Sequence, residues 1–284
     1  MLIGSITVLA LVLGFTVCLF TGAFGALTWL WLLPVSFAAF WLVLTALAFL
    51  FLLFIANRVD KDQIQEHDDP FYRAMVKLYV PALIWLVKMK VHTKGLEKTP
   101  QEGRFMLVCN HLFMADPGVI LACFPNSQLA FISKQENRDM FVIGSMMHKI
   151  MCQTLDRDND RQALKVILKC IDLIKKDEVS IGVFPEGYTA KDGKLHPFRS
   201  GVFKIAQKAG VPIVVCTIQG TRPVFHNLKK FKTTHVQLHL VDVIPAEELK
   251  GRTAVDIANQ VYEMMLADLG EDFRYIEPET EQNT

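Results

Sequence analysis

No charged side chain precedes Arg58 in this 284-residue chain. A secretory signal opens on a positively charged segment, so the absence of Lys and Arg argues against one here. It also leaves residues 1–57 with no reason to face water. Met1–Phe20 and Leu27–Ala56 are two apolar stretches, parted by Thr21-Gly22-Ala23-Phe24-Gly25. A bilayer core takes roughly 20 helical residues. The second stretch is ample for that, with Pro34 starting or kinking the helix; the first is barely sufficient and either spans or re-enters. The expectation over residues 1–57 is a retained two-helix membrane anchor. Arg58 and Lys61 at its exit favour the cytoplasmic side for the rest, against the opposing Asp60 and Asp62. In a bacterium the membrane would be the cell membrane.

Other features are missing too. The six cysteines (Cys18, Cys109, Cys123, Cys152, Cys170, Cys216) stand singly with no CxxC pair. Neither a metal site nor a redox pair is expected, and no cofactor is called for. Cys109 ends an apolar run, where packing explains it better than a nucleophilic role. No excess of one charge exists: 30 Lys+Arg stand against 29 Asp+Glu, all of them after residue 57. That composition excludes a nucleic-acid binder. No repeat or Gly/Ser-rich linker divides the remainder, so about 225 residues can bury one core. We place a single domain at 58–270 and an acidic, frayed tail at 271–284.

What is present within 58–270 alternates in period. Strand-like runs fall at Phe105–Cys109, Leu129–Ser133, Met151–Leu155, Val179–Phe184, Ile213–Ile218 and Val236–Val243. Helical segments lie near Pro117–Phe124, Met140–Ile150, Asp160–Lys176, Val202–Ala209 and Thr253–Leu269. This predicts an α/β domain, a mixed sheet flanked by helices. Pro70–Met89 is amphipathic, with Trp85 and three lysines at its fringe, and reads equally as an interfacial helix or a core helix.

Chemistry gathers in Cys109-Asn110-His111-Leu112-Phe113-Met114-Ala115-Asp116-Pro117. On one helix, His111 and Asp116 would point about 140° apart. A strand-to-helix turn, with Asp116 as N-cap and Pro117 opening the helix, folds the imidazole back onto the carboxylate instead. The product is a general base without a protein nucleophile, and the proton it takes belongs to a substrate hydroxyl. A lone His-x4-Asp is more often structural. A second motif changes the balance: an apolar strand ending in Phe184-Pro185-Glu186-Gly187.

Together the two motifs resemble the glycerolipid acyltransferase family, in particular the 1-acylglycerol-3-phosphate acyltransferases. The resemblance covers roughly residues 75 to 245. It implies a membrane-bound enzyme that moves an acyl chain from acyl-CoA or acyl-carrier protein to the 2-hydroxyl of lysophosphatidate, giving phosphatidate. His111 would be the base and Asp116 its orienting group. Lys134 and Arg157, ending adjacent strands, would hold the acceptor phosphate. Glu186 would bind a glycerol hydroxyl or orient the phosphate, or else cap a helix. Gly187 would allow a backbone turn closed to other residues, and Arg199 opens a helix suited to an anion. Asn110, Phe184 and Pro185 complete the motifs, and Val211-Pro212-Ile213 resembles the family's fourth block, near the acyl site.

There are departures. Thr189 stands where the family's phosphate-binding arginine would be, which leaves Arg157, Lys191 or Arg199 to supply the charge. Two alternatives follow: an acyltransferase for a headgroup-bearing lysophospholipid, or a catalytically silent lipid-binding adaptor of the same fold. A hydrolase is weaker, because no serine nucleophile elbow is present. Lys229-Lys230-Phe231-Lys232 reads as an exposed loop, or as a meeting point for an acidic carrier protein or an anionic lipid headgroup.

Overall fold

Two apolar helices lead the chain, α1 (Leu2–Phe20) and α2 (Trp29–Asn57). A computed structural model describes residues 1–156 and 160–276. The helices run antiparallel. Trp41 Nε1 donates to Thr7 Oγ1 at 3.2 Å, and Gly14 lies so close to α2 that a Cβ there would meet Ser36 Oγ at 3.1 Å. Both are long and apolar enough to cross a membrane, and most of their side chains face away from the rest of the protein. Pro34 does not start α2, which begins five residues earlier at Trp29.

α3 (Pro70–Leu86) opens on Asp69, whose carboxylate accepts from the Phe71 and Tyr72 amides. It lies antiparallel to α2: Tyr72 Oη donates to Ile55 O at 3.0 Å and Tyr79 Oη to Ala48 O at 2.8 Å. The segment has a buried side and an exposed end. Arg73 and Val76 are buried, whereas Leu83, Trp85 and Leu86 are exposed.

The sheet follows, with strands β1 (Met89–Lys94), β2 (Met106–Cys109), β3 (Leu129–Lys134), β4 (Gln153–Leu155), β5 (Ser180–Val183), β6 (Ile213–Gln219) and β7 (Thr234–Ile244). Their spatial order is β1-β7-β6-β2-β5-β3-β4. β6, β2, β5, β3 and β4 are mutually parallel, β7 is antiparallel to β6, and β1 is parallel to β7. The sheet is mixed, as expected. β2 and β5 are buried on both faces, as a central parallel strand must be. Met106 and Val108 face the layer of α6 (Asp160–Lys175), α7 (Lys204–Ala209) and α9 (Ala254–Leu269). Leu107 and Cys109 face α4 (Asp116–Cys123). α5 (Phe141–Lys149) and α3 close over the end of α2, where Ile55, Ala56, Val76, Met146 and Ile150 form a separate apolar cluster.

Several boundaries differ from expectation. β1 and a short helix, α8 (Val224–Lys229), are additional elements. β4 loses Met151 and Cys152, because Met151 adopts φ 66° and turns the chain before pairing begins. The helix expected at Val202–Ala209 divides into a 3-10 turn (Ser200–Phe203) and α7. The segment expected to fray is ordered at its start. Glu271–Phe273 forms a 3-10 turn, Leu195 N–H donates to Phe273 O at 2.7 Å, and the Tyr275 ring lies 4.0 Å from that of His196.

Candidate active site

The parallel strands deliver their carboxyl ends to one edge of the sheet, where α/β folds commonly bind ligands. β2 ends there in Asn110 and His111. Asn110 is buried and fixes this end: its Oδ1 accepts from Ile218 N–H at 2.8 Å and its Nδ2 donates to Ile218 O at 3.0 Å. These two bonds prolong the β2–β6 pairing by a side chain, so His111 leaves the sheet in a defined direction.

The turn after His111 closes on Asp116. A single carboxylate oxygen, Oδ2, accepts from His111 Nδ1 at 2.9 Å and from the Leu112 and Phe113 amides at 2.7 Å each. Asp116 is therefore not the N-cap expected of it. It is the first residue of α4, Ala115 holds the cap position, and the carboxylate turns backward to gather the preceding loop. Asp116 is fully buried and the His111 side chain 14 % exposed. With Nδ1–H donating to Asp116, Nε2 is the ring atom free to accept a proton.

Phe184 continues β5 and lays its ring against His111, centroids 4.2 Å apart, with Phe131 behind it at 5.5 Å. Pro185 O accepts from Arg199 N–H at 2.8 Å. Glu186 is 1 % exposed. Its Oε1 accepts from the His111 amide at 2.8 Å and its Oε2 from the His196 amide at 3.1 Å. Burial pushes its carboxyl up to about 7, against the pull of those two amides. Glu186 is thus neither an exposed ligand group nor a helix cap; it is a buried brace between two turns. His111 O in turn accepts from Ala190 N–H at 2.8 Å. Gly187 adopts φ 81°, and a Cβ there would meet Arg199 Nε at 2.8 Å, so both conformation and space require glycine.

Beside this brace opens a cleft of about 450 Å³ whose lining includes Lys134, Leu155, Asp156, Gly187, Tyr188 and Arg199. The structure brings together Lys134, Gly187 and Arg199 of the expected binding residues. Lys134 also pairs with Glu136 at 2.6 Å, both largely exposed. Arg157, expected to act with Lys134, lies outside the described residues. Arg199 precedes a 3-10 turn and the six-residue α7, so it contributes its own guanidinium and no helix end. Pro212 is not at the site. It precedes β6 and accepts from Met106 N–H at 3.0 Å, at the amino edge of the sheet, opposite His111. Burial raises the Cys109 thiol well above its ordinary value, as expected of a packing residue. Among the described residues no group of three or more His, Cys, Asp or Glu is placed to hold a metal ion.

The acyltransferase family model matches residues 90–219, the segment that carries both motifs. The chain is 34% identical over 152 residues to the chloroplastic 1-acyl-sn-glycerol-3-phosphate acyltransferase of Brassica napus, covering 53% of this chain and 43% of that protein. It is 27% identical over 202 residues to a probable 1-acyl-sn-glycerol-3-phosphate acyltransferase of Mycoplasma pneumoniae, covering 69% of this chain and 74% of that one. It thus spans less than half of the plant relative's length. The crystal structure of the 1-acyl-sn-glycerophosphate acyltransferase PlsC from Thermotoga maritima has the same fold, with a TM-score of 0.59, 23% identity and coverage of 72% and 81%.

Sequence reasoning missed His196, Tyr188 and the ring stack behind His111. Tyr188 packs edge-on to His196, and His196 Nε2 pairs with Asp192 at 3.0 Å. The spacing Asp192-x3-His196 was visible, but nothing local marked it as a support for Glu186.

Proposed function

We propose that this protein is a membrane-bound 1-acylglycerol-3-phosphate O-acyltransferase. The observation that carries the reading is the 2.9 Å contact of His111 Nδ1 with the buried Asp116 carboxylate, which leaves Nε2 as the basic nitrogen. His111 Nε2 takes the proton of the acceptor's 2-hydroxyl as its oxygen attacks the thioester carbonyl carbon. The C–O bond forms, the C–S bond breaks, and the departing thiolate recovers the proton from the imidazolium. No acyl-enzyme is needed, which fits Cys109, beside His111, being a buried thiol raised by its burial. The donor is acyl-CoA or an acyl-carrier protein. Lys134 and Arg199 hold the acceptor phosphate across the cleft, with Arg157 as a further cation and Arg199 standing in for the charge that Thr189 lacks. The two apolar helices support a site held at a membrane, and Arg58 and Lys61 at their exit favour the cytoplasmic side for the domain.

The test is acyl transfer to lysophosphatidate from acyl-CoA and from acyl-carrier protein in detergent micelles. His111→Ala should lose roughly 10²–10⁴ in rate. Activity that survives in the variant overturns the mechanism. Faster transfer to lysophosphatidylcholine or lysophosphatidylethanolamine than to lysophosphatidate would move the acceptor to the headgroup-bearing class. Folded wild type inactive with every donor and acceptor would leave the silent adaptor.

A further inference from the structure

Two long segments of the chain contain no carboxylate at all. Between Pro70 and Leu96, and again between Gly193 and Val241, there is no Asp or Glu, although the whole chain carries 29. The fold brings the two segments together, because β1 pairs along its length with β7 at the sheet edge. Lys88, at the end of α3, sits under the turn that follows α8. Its Nζ donates to Phe231 O at 3.2 Å and lies 5.6 Å from the centre of the Phe231 ring. The Phe231 side chain is 82 % exposed, flanked by exposed Lys229, Lys230 and Lys232.

A large aromatic held into solvent by a cation, and ringed by three more, has no role in the core. Its neighbours extend the same character. Leu83, Trp85 and Leu86 in the last turn of α3 are each more than half exposed. On the other side, Phe225 of α8 is exposed and packs edge-on to Phe113, two residues from His111. The surface therefore runs from the end of α3, through Phe231, to the rim of the catalytic turn. It also continues onto the apolar hairpin. The hydroxyl bonds of Tyr72 and Tyr79 set α3 antiparallel to α2, so each turn toward Leu86 advances along α2 toward its apolar middle.

We propose that the turn Lys229–Lys232, with Phe231 at its tip, and the last turn of α3 seat on an anionic bilayer surface beside the hairpin. Aromatic and aliphatic side chains enter the headgroup layer while the lysines pair with lipid phosphates. The inference rests on the membrane reading above and adds to it a second contact, which turns the rim at Phe113 toward the lipid.

The experiment reconstitutes the full chain in nanodiscs of phosphatidylcholine alone or with a third phosphatidylglycerol, both doped with spin-labelled lipid. A fluorophore is attached in turn at Phe231→Cys, Leu47→Cys (α2) and Lys250→Cys, the last lying past the far end of β7 from Phe231. Lipid quenching at positions 47 and 231 but not 250, stronger at 231 with phosphatidylglycerol, is expected. Quenching at 47 without 231 overturns this inference and leaves the membrane reading standing; quenching at neither overturns both. A label at 231 that ignores lipid but responds to added acidic carrier protein overturns it in favour of a protein-docking face. The K229E/K230E/K232E variant should match wild-type turnover in neutral detergent micelles and lose several-fold in phosphatidylglycerol nanodiscs. Equal loss in both would count against the proposal.

Discussion

Glu186 is a buried carboxyl whose two hydrogen bonds both go to backbone. Two backbone amides from different loops point at it, and two acceptors are what an ionised carboxylate offers. Burial opposes the charge, and Asp116 and Asp192 add to the opposition, so the carboxyl is raised to about 7. An acid whose folded pKa lies above its unfolded value near 4.5 is bound to its proton more tightly in the folded state. Its contribution to stability is complete below about 4.5 and is lost as pH rises through about 7. The stability of wild type relative to Glu186→Gln should therefore fall between pH 5 and pH 8, by on the order of 3 kcal/mol. Denaturant midpoints of the two proteins in one detergent, at both pH values, measure it. A difference that does not vary with pH would show that the carboxyl is not raised. The same substitution leaves one of the two amides facing an N–H₂ group. Because His111 hangs on that brace, turnover should fall roughly 10-fold to 100-fold. The acceptor KM should change much less, since Lys134 and Arg199 are untouched.

Among the elements, α3 has the most specific attachment. Arg73 is 5 % exposed; it pairs with Asp68 at 2.7 Å and donates to Leu129 O and Ile150 O. It thus fastens the start of α3 to the amino end of β3 and to the turn before β4. Removing one partner of a buried pair costs roughly 3–5 kcal/mol, because the other charge is stranded. Arg73→Ala should lower stability by that amount, and adding Asp68→Leu should restore part of it; chemical denaturation of the three proteins checks the order. A double variant no more stable than the single one would show that the stranded carboxylate is not the cause. This pair was illegible in the sequence because its other partners lie more than fifty residues away. The elements themselves were more legible. β2, β5, β6 and the first half of β3 are apolar runs buried on both faces, and α6 and α9 carry a clear amphipathic period. β1 was missed because Met89-Lys90-Val91-His92-Thr93-Lys94 is an edge strand whose one buried side is thin. α8 was missed because six residues hold no helical period. Asp116 was singled out with the wrong geometry: cap and backward-folding carboxylate share the same Asp-Pro signal, and only the amides of Leu112 and Phe113 decide between them.

At the scale of the whole molecule, the division after residue 57 is written in charge, but the way the two parts join is not. The end of α2 does not dangle from the domain. Tyr72 Oη donates to Ile55 O at 3.0 Å, Tyr79 Oη to Ala48 O at 2.8 Å, and Ser145 Oγ to Ala56 O at 3.0 Å. Two of these carbonyls belong to the last turn of α2, where helix oxygens lack regular partners. Beyond them, Lys61 Nζ donates to Arg138 O at 2.8 Å and Arg138 returns a bond to Lys61 O at 2.7 Å. That locks the exit of the hairpin to the 3-10 turn directly after Lys134. Under the membrane reading proposed above, this junction fixes the orientation of the cleft as well as its distance from the bilayer. Y72F/Y79F/S145A removes the three hydrogen bonds to α2, along with the Ser145 contact to Phe141 O, a loss of roughly 2–4 kcal/mol. In nanodiscs, its transfer to long-chain lysophosphatidate should drop several-fold. Transfer to a short-chain, water-soluble acceptor should stay at the wild-type rate, because the His111–Asp116 pair and the Glu186 brace lie in other elements. An equal fall on both acceptors would mean that the junction shapes the site itself rather than presenting it to the membrane.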